Sequence, residues 1–408
     1  MEIECFLWIG HLWKEVMSIF PGLNGHNVKA LPGEIIFEIL SRLPADEVVK
    51  CRRVSKEWRA LVPTPYFSQY HLTRASPIVL IHSILPQELS SYDGKLEFYF
   101  LDLGAKKNQM VKKYFNKPSF PVRKYFYRMF FSCNGLIVFE TEYWRANYPN
   151  FSIYNPITQQ DITLKKPFGT GFLCGIYFHT LTREYRLIYT YKTCNANCWH
   201  YVILAGGEWV KLQNDSFAPP LRNGPVNING FVYWMIWKKL INYRAAFPLL
   251  CSASIITFDT KTEEIRVMAH PGKRCHSCCD EQRDMQLFNV ENRLVYARVY
   301  SELIKIWVLE DSTKWLWAER YNINLDLTVK KFIPRQGLPC RLRNLIYIPD
   351  GQLVIFWENV GLFLYHLELK TFRKLDVKIG GYDLLFSVGA YFSLMSYTKS
   401  FEFWSKNV

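Results

Sequence analysis

The chain has 408 residues, 49% of them hydrophobic, 16% aromatic and only 21% charged. That gives room for a small module plus one large packed domain and argues against long disorder. Fifty Lys and Arg against 36 Asp and Glu leave a formal charge of +14. The basic residues are scattered doublets (Lys106-Lys107, Lys112-Lys113, Lys165-Lys166), so a mildly basic surface is expected and a nucleic-acid-binding run is not. Eleven cysteines, several embedded in apolar runs as at Cys133, Cys174 and Cys251, suit reduced thiols and a cytoplasmic or nuclear setting rather than a disulfide framework.

Residues 1–27 open with Phe6-Leu7-Trp8-Ile9 and Leu12-Trp13, interrupted by Glu2, Glu4, Lys14 and Glu15. A signal peptide needs a basic start and an unbroken apolar core, so this leader reads as a short amphipathic helix or loose extension. It is followed by a Gly/Asn linker at Pro21–Asn27. Nowhere does a run of about 20 apolar residues suggest a bilayer span.

From Leu31 to Phe67 the pattern is helical. Pro32 suits a first helical position, and Glu34 puts negative charge in the first turn. Ile35, Ile36, Ile39, Leu40 and Leu43 recur on one helix face until Pro44 ends it. Asp46 then caps a short turn carrying Val48 and Val49, and Ser55 opens a third helix that Pro63 and Pro65 close. Three short helices are too small to bury all of this apolar surface, so some of it is expected to pack on a partner or on the neighbouring domain.

The order Leu31-Pro32, Ile39-Leu40, Leu43-Pro44, Cys51-Arg52-Arg53-Val54-Ser55-Lys56-Glu57-Trp58-Arg59 and Phe67 resembles the F-box, with Ser55 where many members carry Cys. The resemblance implies docking on a SKP-family adaptor and, through it, on a cullin and a RING subunit. By position it assigns the docking surface to Leu31, Pro32, Ile35, Ile36, Ile39, Leu40, Leu43, Pro44 and Val48. Val54 and Trp58 would hold the helical unit together. Burying one Leu or Ile is worth about 1.5–3 kcal/mol, so four or five sustain an interface with no chemistry in it.

After Thr73 the period changes to alternation, and a unit recurs. Asn134-Gly135, Asn229-Gly230, Glu291-Asn292 and Asp350-Gly351 each precede an apolar strand. A second strand and a polar turn follow, as in Tyr154-Asn155-Pro156-Ile157-Thr158 and Phe258-Asp259-Thr260-Lys261-Thr262. The wide gap between Gly135 and Gly230 has room for one more unit, around Tyr185–Tyr189 and Trp199–Ile203. A repeat of about 50–60 residues built from four short strands predicts a β-propeller, here of about six blades. The segment Tyr391–Met395 is placed to complete the first blade. A two-sheet sandwich or an irregular barrel would show the same strands without the period.

Ser132-Cys133-Asn134-Gly135-Leu136 together with Tyr154-Asn155-Pro156-Ile157-Thr158 resembles the F-box-associated domain of plant F-box proteins, over about residues 75–400. A kelch-type propeller is similar in pattern but lacks a match for its regular Gly-Gly doublets. The likeness implies a domain that binds a target protein. The expected organisation is α+β and multidomain: an extension at 1–27, a three-helix F-box module at 28–74, an all-β domain at 75–400 and a tail at 401–408.

No nucleophile motif or phosphate loop occurs, so neither catalysis nor a cofactor is expected. Cys275, His276, Cys278 and Cys279, with His270 nearby, have zinc-ligand chemistry but no evident partner pair, and Cys194 and Cys198 are distant. That cluster reads as an exposed loop, with metal binding left open. Trp234-Met235-Ile236-Trp237 and Trp315-Leu316-Trp317 fit alternating core positions better than a stacking platform. The rival to the adaptor reading is a carbohydrate-binding or enzymatic propeller that the helices merely cap.

Overall fold

The computed structural model describes residues 32–84, 95–103, 109–116, 125–143, 150–167, 171–192, 199–212, 224–236, 254–272, 285–300, 303–325, 342–357, 360–379, 382–383, 391–402 and 404. The leader lies outside these residues. The chain divides into two compact units. One holds the residues up to Ala75 together with Lys399–Glu402, and the other holds Ser76–Thr398 and Phe403–Val408.

Among the described residues the first unit carries four helices, one more than the sequence pattern predicts: α1 Gly33–Arg42, α2 Ala45–Cys51, α3 Lys56–Leu61 and α4 Pro65–Arg74. Pro65 does not close α3. It opens α4 at the first helical position, where its missing N–H costs nothing, and Thr64 caps that helix by accepting from the Phe67 N–H at 3.3 Å. Ser55 caps α3 through the Trp58 N–H at 3.2 Å, as the sequence predicts. Helix α2 follows directly on Pro44, so Asp46 lies in its first turn instead of at the cap.

The second unit is a six-blade β-propeller of four-stranded antiparallel sheets. Strands β1 Ile78–Ile84, β2 Lys95–Asp102 and β3 Gln109–Asn116 belong to blade 1. Blade 2 is β4 Tyr125–Cys133, β5 Leu136–Tyr143, β6 Asn150–Asn155 and β7 Gln160–Lys165. Blade 3 is β8 Gly171–His179, β9 Glu184–Lys192, β10 Trp199–Ala205 and β11 Glu208–Lys211. Blade 4 is β12 Val226–Ile228, β13 Phe231–Met235, β14 Ile255–Asp259 and β15 Ile265–Met268. Blade 5 is β16 Met285–Val290, β17 Arg293–Val299, β18 Leu303–Asp311 and β19 Leu316–Asn324. Blade 6 is β20 Leu342–Ile348, β21 Gln352–Trp357, β22 Gly361–His366 and β23 Thr371–Leu375. A two-stranded ribbon, β24 Lys378–Ile379 and β25 Tyr382–Asp383, precedes β26 Tyr391–Tyr397. Strand β26 returns to pair with β1 over its whole length, Ile78 opposite Tyr397 and Ile84 opposite Tyr391. It supplies the innermost strand of blade 1 and closes the ring.

Both faces of each blade are covered, which explains the near-continuous apolar runs. In β21, Leu353, Ile355 and Trp357 pack toward blade 5, whereas Val354 and Phe356 pack toward blade 1. In β17, Val295 and Ala297 face blade 6, whereas Leu294 and Tyr296 face blade 4. Each of the six blade interfaces holds a hydrophobic cluster of this kind. Because successive side chains point to opposite faces, a one-residue slip would exchange the two partners of every strand.

Polar side chains on the innermost strands tie blade to blade. Asn344 donates to the Leu394 carbonyl (2.8 Å), Ser132 to the Ser396 carbonyl (2.7 Å) and Asn227 to the Ile176 carbonyl (3.0 Å). Gln286 both accepts from the Leu345 N–H (2.8 Å) and donates to its carbonyl (3.4 Å). Within the blades, the first turns take left-handed backbone as their Asn-Gly and Asp-Gly pairs predict: Asn134 φ 49°, Gly135 φ 82°, Asp350 φ 64°, Gly351 φ 67°. The later turns are stapled by Asn155, Asp259 and Asp311, each accepting from the backbone N–H two residues on (2.8, 2.8 and 2.9 Å).

Candidate functional site

The helical unit carries the residues singled out for docking. Along α1 the apolar face grades from exposed to buried. Pro32 is exposed and Ile35 and Ile36 are half-buried, whereas Ile39 (3%), Leu40 (0%) and Leu43 (7%) are buried in the folded chain. Pro44 is exposed and Val48 fully buried. Leu31 lies outside the described residues. The accessible part of the predicted surface is therefore Pro32, Ile35, Ile36 and Pro44, with the other four serving as interior.

Of the two residues expected to hold the unit together, Trp58 is buried (8%) and Val54 is not (37%). Val54 sits in the turn between α2 and α3, where its N–H bonds the Cys51 carbonyl and its side chain faces outward. The work expected of Val54 is done by α4, which the sequence pattern missed. Phe37 on α1 packs against Tyr66, Phe67 and Tyr70 at ring separations of 5.3, 5.3 and 5.1 Å. Arg74 then locks the two helices together, reaching Glu38 at 3.1 Å and Ser41 at 2.8 Å while lying 4.6 Å over the Tyr70 ring. Hydrogen bonds from Arg42 and Arg74 hold the Glu38 carboxyl below its usual range.

A short strap, Lys399–Glu402, completes this unit. Lys399 pairs with Asp46 on α2, and Glu402 accepts from the Ser68 hydroxyl on α4 at 2.7 Å, with both side chains of that bond buried. Between them Phe401, 4% exposed, packs on Phe67 and stands edge-on to His71, at 6.0 and 4.9 Å. His71 is itself buried, and its Nε2 lies 2.8 Å from the Leu43 carbonyl oxygen. A carbonyl can only accept, so Nε2 carries the proton. Burial holds the imidazole pKa down, against the opposing effect of that bond. No motif in the sequence pointed to the strap, because its partners are about 330 positions away.

The other candidate sites separate cleanly. Cys275, His276, Cys278, Cys279, Cys194 and Cys198 lie outside the described residues, and no group of three or more metal-ligating side chains occurs among the described ones. His270 stacks on Tyr296 at 5.3 Å, with Nδ1 2.7 Å from the Pro271 carbonyl. Trp234, Met235 and Ile236 are buried, and Trp315 donates through Nε1 to the Ala269 carbonyl at 2.6 Å. These aromatics are core and fastening. Cys51, Cys133 and Cys174 are buried and form no disulfide, and burial pushes Cys51 up to about 12.

Comparison with known proteins agrees with this geometry. Residues 87–399 match the F-box associated beta propeller domain and residues 29–70 the F-box domain. The chain belongs to the F-box associated beta propeller family. Among its F-box relatives, an F-box/LRR-repeat protein of Arabidopsis thaliana is 24% identical, covering 87% of this chain and 81% of its own length. An F-box protein of the same plant is 28% identical over 71% of this chain and 70% of its own. Among solved structures, an oligogalacturonate lyase in complex with manganese aligns over 74% of this chain and 81% of its own, with 10% identity and a TM-score of 0.36. The helices are thus the F-box of a plant-type F-box protein, and the six blades are its associated domain.

Proposed function

We propose that this F-box protein is the substrate-recognition subunit of an SCF-type ubiquitin ligase, working in the cytoplasm or nucleus. Its F-box unit docks on a SKP-family adaptor and so joins a cullin and a RING subunit. Its propeller holds a target protein. The observation that carries this reading is the pairing, in one chain, of an F-box with an F-box associated propeller over residues 29–70 and 87–399. The half-exposed Ile35 and Ile36, flanked by exposed Pro32 and Pro44, give the adaptor an apolar edge to cover. Bond making belongs to the other subunits. This chain accelerates transfer by tethering, which replaces a bimolecular encounter with a high effective concentration.

The test is co-purification of the full chain with a SKP-family adaptor, alongside an Ile35→Asp, Ile36→Asp double variant. These two are chosen over Ile39 and Leu43 because charges at fully buried sites would unfold the unit instead of probing its surface. The natural chain is expected to bring down the adaptor and the variant to lose it, with circular dichroism of the two unchanged. Adaptor binding that ignores both substitutions would sink the proposal, and so would no binding by a folded natural chain.

A further inference from the structure

We propose that Phe401 and His71 are positioning residues for adaptor docking, acting through the carbonyl of Leu43 at the end of the first F-box helix. This rests on the docking function proposed above and places part of that function outside the F-box motif.

Helix α1 ends at Arg42, and Leu43 turns extended at φ −80°, ψ 149° before Pro44 opens α2. The last carbonyls of a helix lack partners within it, and which way they are held sets the direction in which the chain leaves. Here the Leu43 carbonyl is held by His71 Nε2–H at 2.8 Å. The plane of the Leu43–Pro44 peptide is thereby fixed, and with it the spacing of the exposed Pro44 from Ile35 and Ile36, both more than two helical turns earlier.

The imidazole has little else to orient it. Its Nδ1 is buried with no hydrogen-bond partner among the described residues. What fixes the ring is packing, edge-on to Phe401 at 4.9 Å and tilted against Phe67 at 6.0 Å. Phe401 in turn sits between two anchored neighbours, Lys399 on Asp46 of α2 and Glu402 on Ser68 of α4. The strap thus clamps α2, which follows the turn, and α4, which carries His71, and it aims the side chain that holds the turn. Removing the Phe401 ring frees the imidazole to turn, and the carbonyl is then left without its donor in a buried place.

The experiment uses the full chain and a purified SKP-family adaptor, with affinities measured in the cold, where every variant shows the natural helix content by circular dichroism. His71→Leu keeps the volume and removes the donor, whereas His71→Gln returns an amide N–H near the Nε2 position. His71→Leu and Phe401→Ala are each expected to weaken adaptor binding by about tenfold, and His71→Gln to stay within about threefold of the natural chain. In 15N spectra, the natural His71 is expected as the Nε2–H tautomer, and Phe401→Ala as a mixture of tautomers. A natural chain that binds no adaptor overturns the docking function itself. Unchanged affinity in His71→Leu and Phe401→Ala, with the natural chain binding, overturns the positioning alone. A His71→Gln variant as weak as His71→Leu does the same, because only a structural role ignores the restored donor.

Discussion

His82 is fully buried on β1, with the rings of Phe98 and Phe139 at 5.8 and 6.2 Å, and neither of its ring nitrogens has a hydrogen-bond partner among the described residues. Burial pushes its pKa down to about 4 from an ordinary 6.5. Above pH 6.5 both folded and unfolded chains hold a neutral imidazole and nothing is lost. As the pH falls from 6.5 toward 4 the unfolded chain takes up a proton that the folded one refuses, so stability drops by about 1.4 kcal/mol per pH unit. His82→Phe, which suits an aromatic neighbourhood, is therefore expected to unfold at higher urea than the natural chain at pH 5. At pH 7.5 the two should lie within about 1 kcal/mol of each other. Parallel pH profiles for the two proteins would show that His82 is not the group responsible. The sequence made β1 legible through Ile78-Val79-Leu80-Ile81, but whether the next side chain meets water or two rings is decided by β2 and by β5 of the neighbouring blade. No local pattern encodes that.

Turns were the most legible elements, because their chemistry is local: Asn-Gly and Asp-Gly supply left-handed backbone, and Asp259 staples its own turn whatever surrounds it. Clamps between blades were not legible. Arg186 on β9 donates through Nε to Glu184 at 2.7 Å and reaches Glu263, which lies 77 positions away in the β14–β15 turn of the next blade. Tyr177 on β8 donates to the same Glu263 carboxylate at 2.7 Å. The guanidinium is only 11% exposed, and the two carboxylates 8% and 22%. Burial alone would raise the Glu184 carboxyl, but the Arg186 and Thr182 hydrogen bonds outweigh it and hold the group below its usual range. Arg186→Met would leave two carboxylates facing each other with little water. It is expected to cost about 2–4 kcal/mol in urea unfolding at neutral pH, and a second change, Glu263→Gln, should recover part of the loss. If the single variant loses less than about 0.5 kcal/mol, the cluster is a solvated surface network and not a clamp.

At the scale of the whole molecule, the repeat period gave the six blades and the closing strand, whereas the fourth helix escaped because a proline such as Pro65 can end one helix or open the next, and the strap because its partners lie far away in sequence. The last twelve described residues before Phe403 serve both units in succession: β26 up to Tyr397 closes the ring, and Lys399–Glu402 completes the F-box unit. Two changes should separate these roles. Deleting β26 strips β1 of its seven paired positions and removes the acceptors of Asn344 and Ser132 at Leu394 and Ser396. Hydrogen exchange is then expected to speed up across β1 and along β4 and β20, the inner strands on either side of it. Replacing only Lys399–Glu402 with Gly and Ser keeps β26 and all of those bonds. Protection in the blades should hold, while the amides of α4 around Ser68 and His71 exchange faster. If the replacement leaves α4 as protected as before, the strap lies on the F-box unit without stabilising it. If it instead loosens the blades, the two roles of this segment cannot be separated and the chain folds as one cooperative whole.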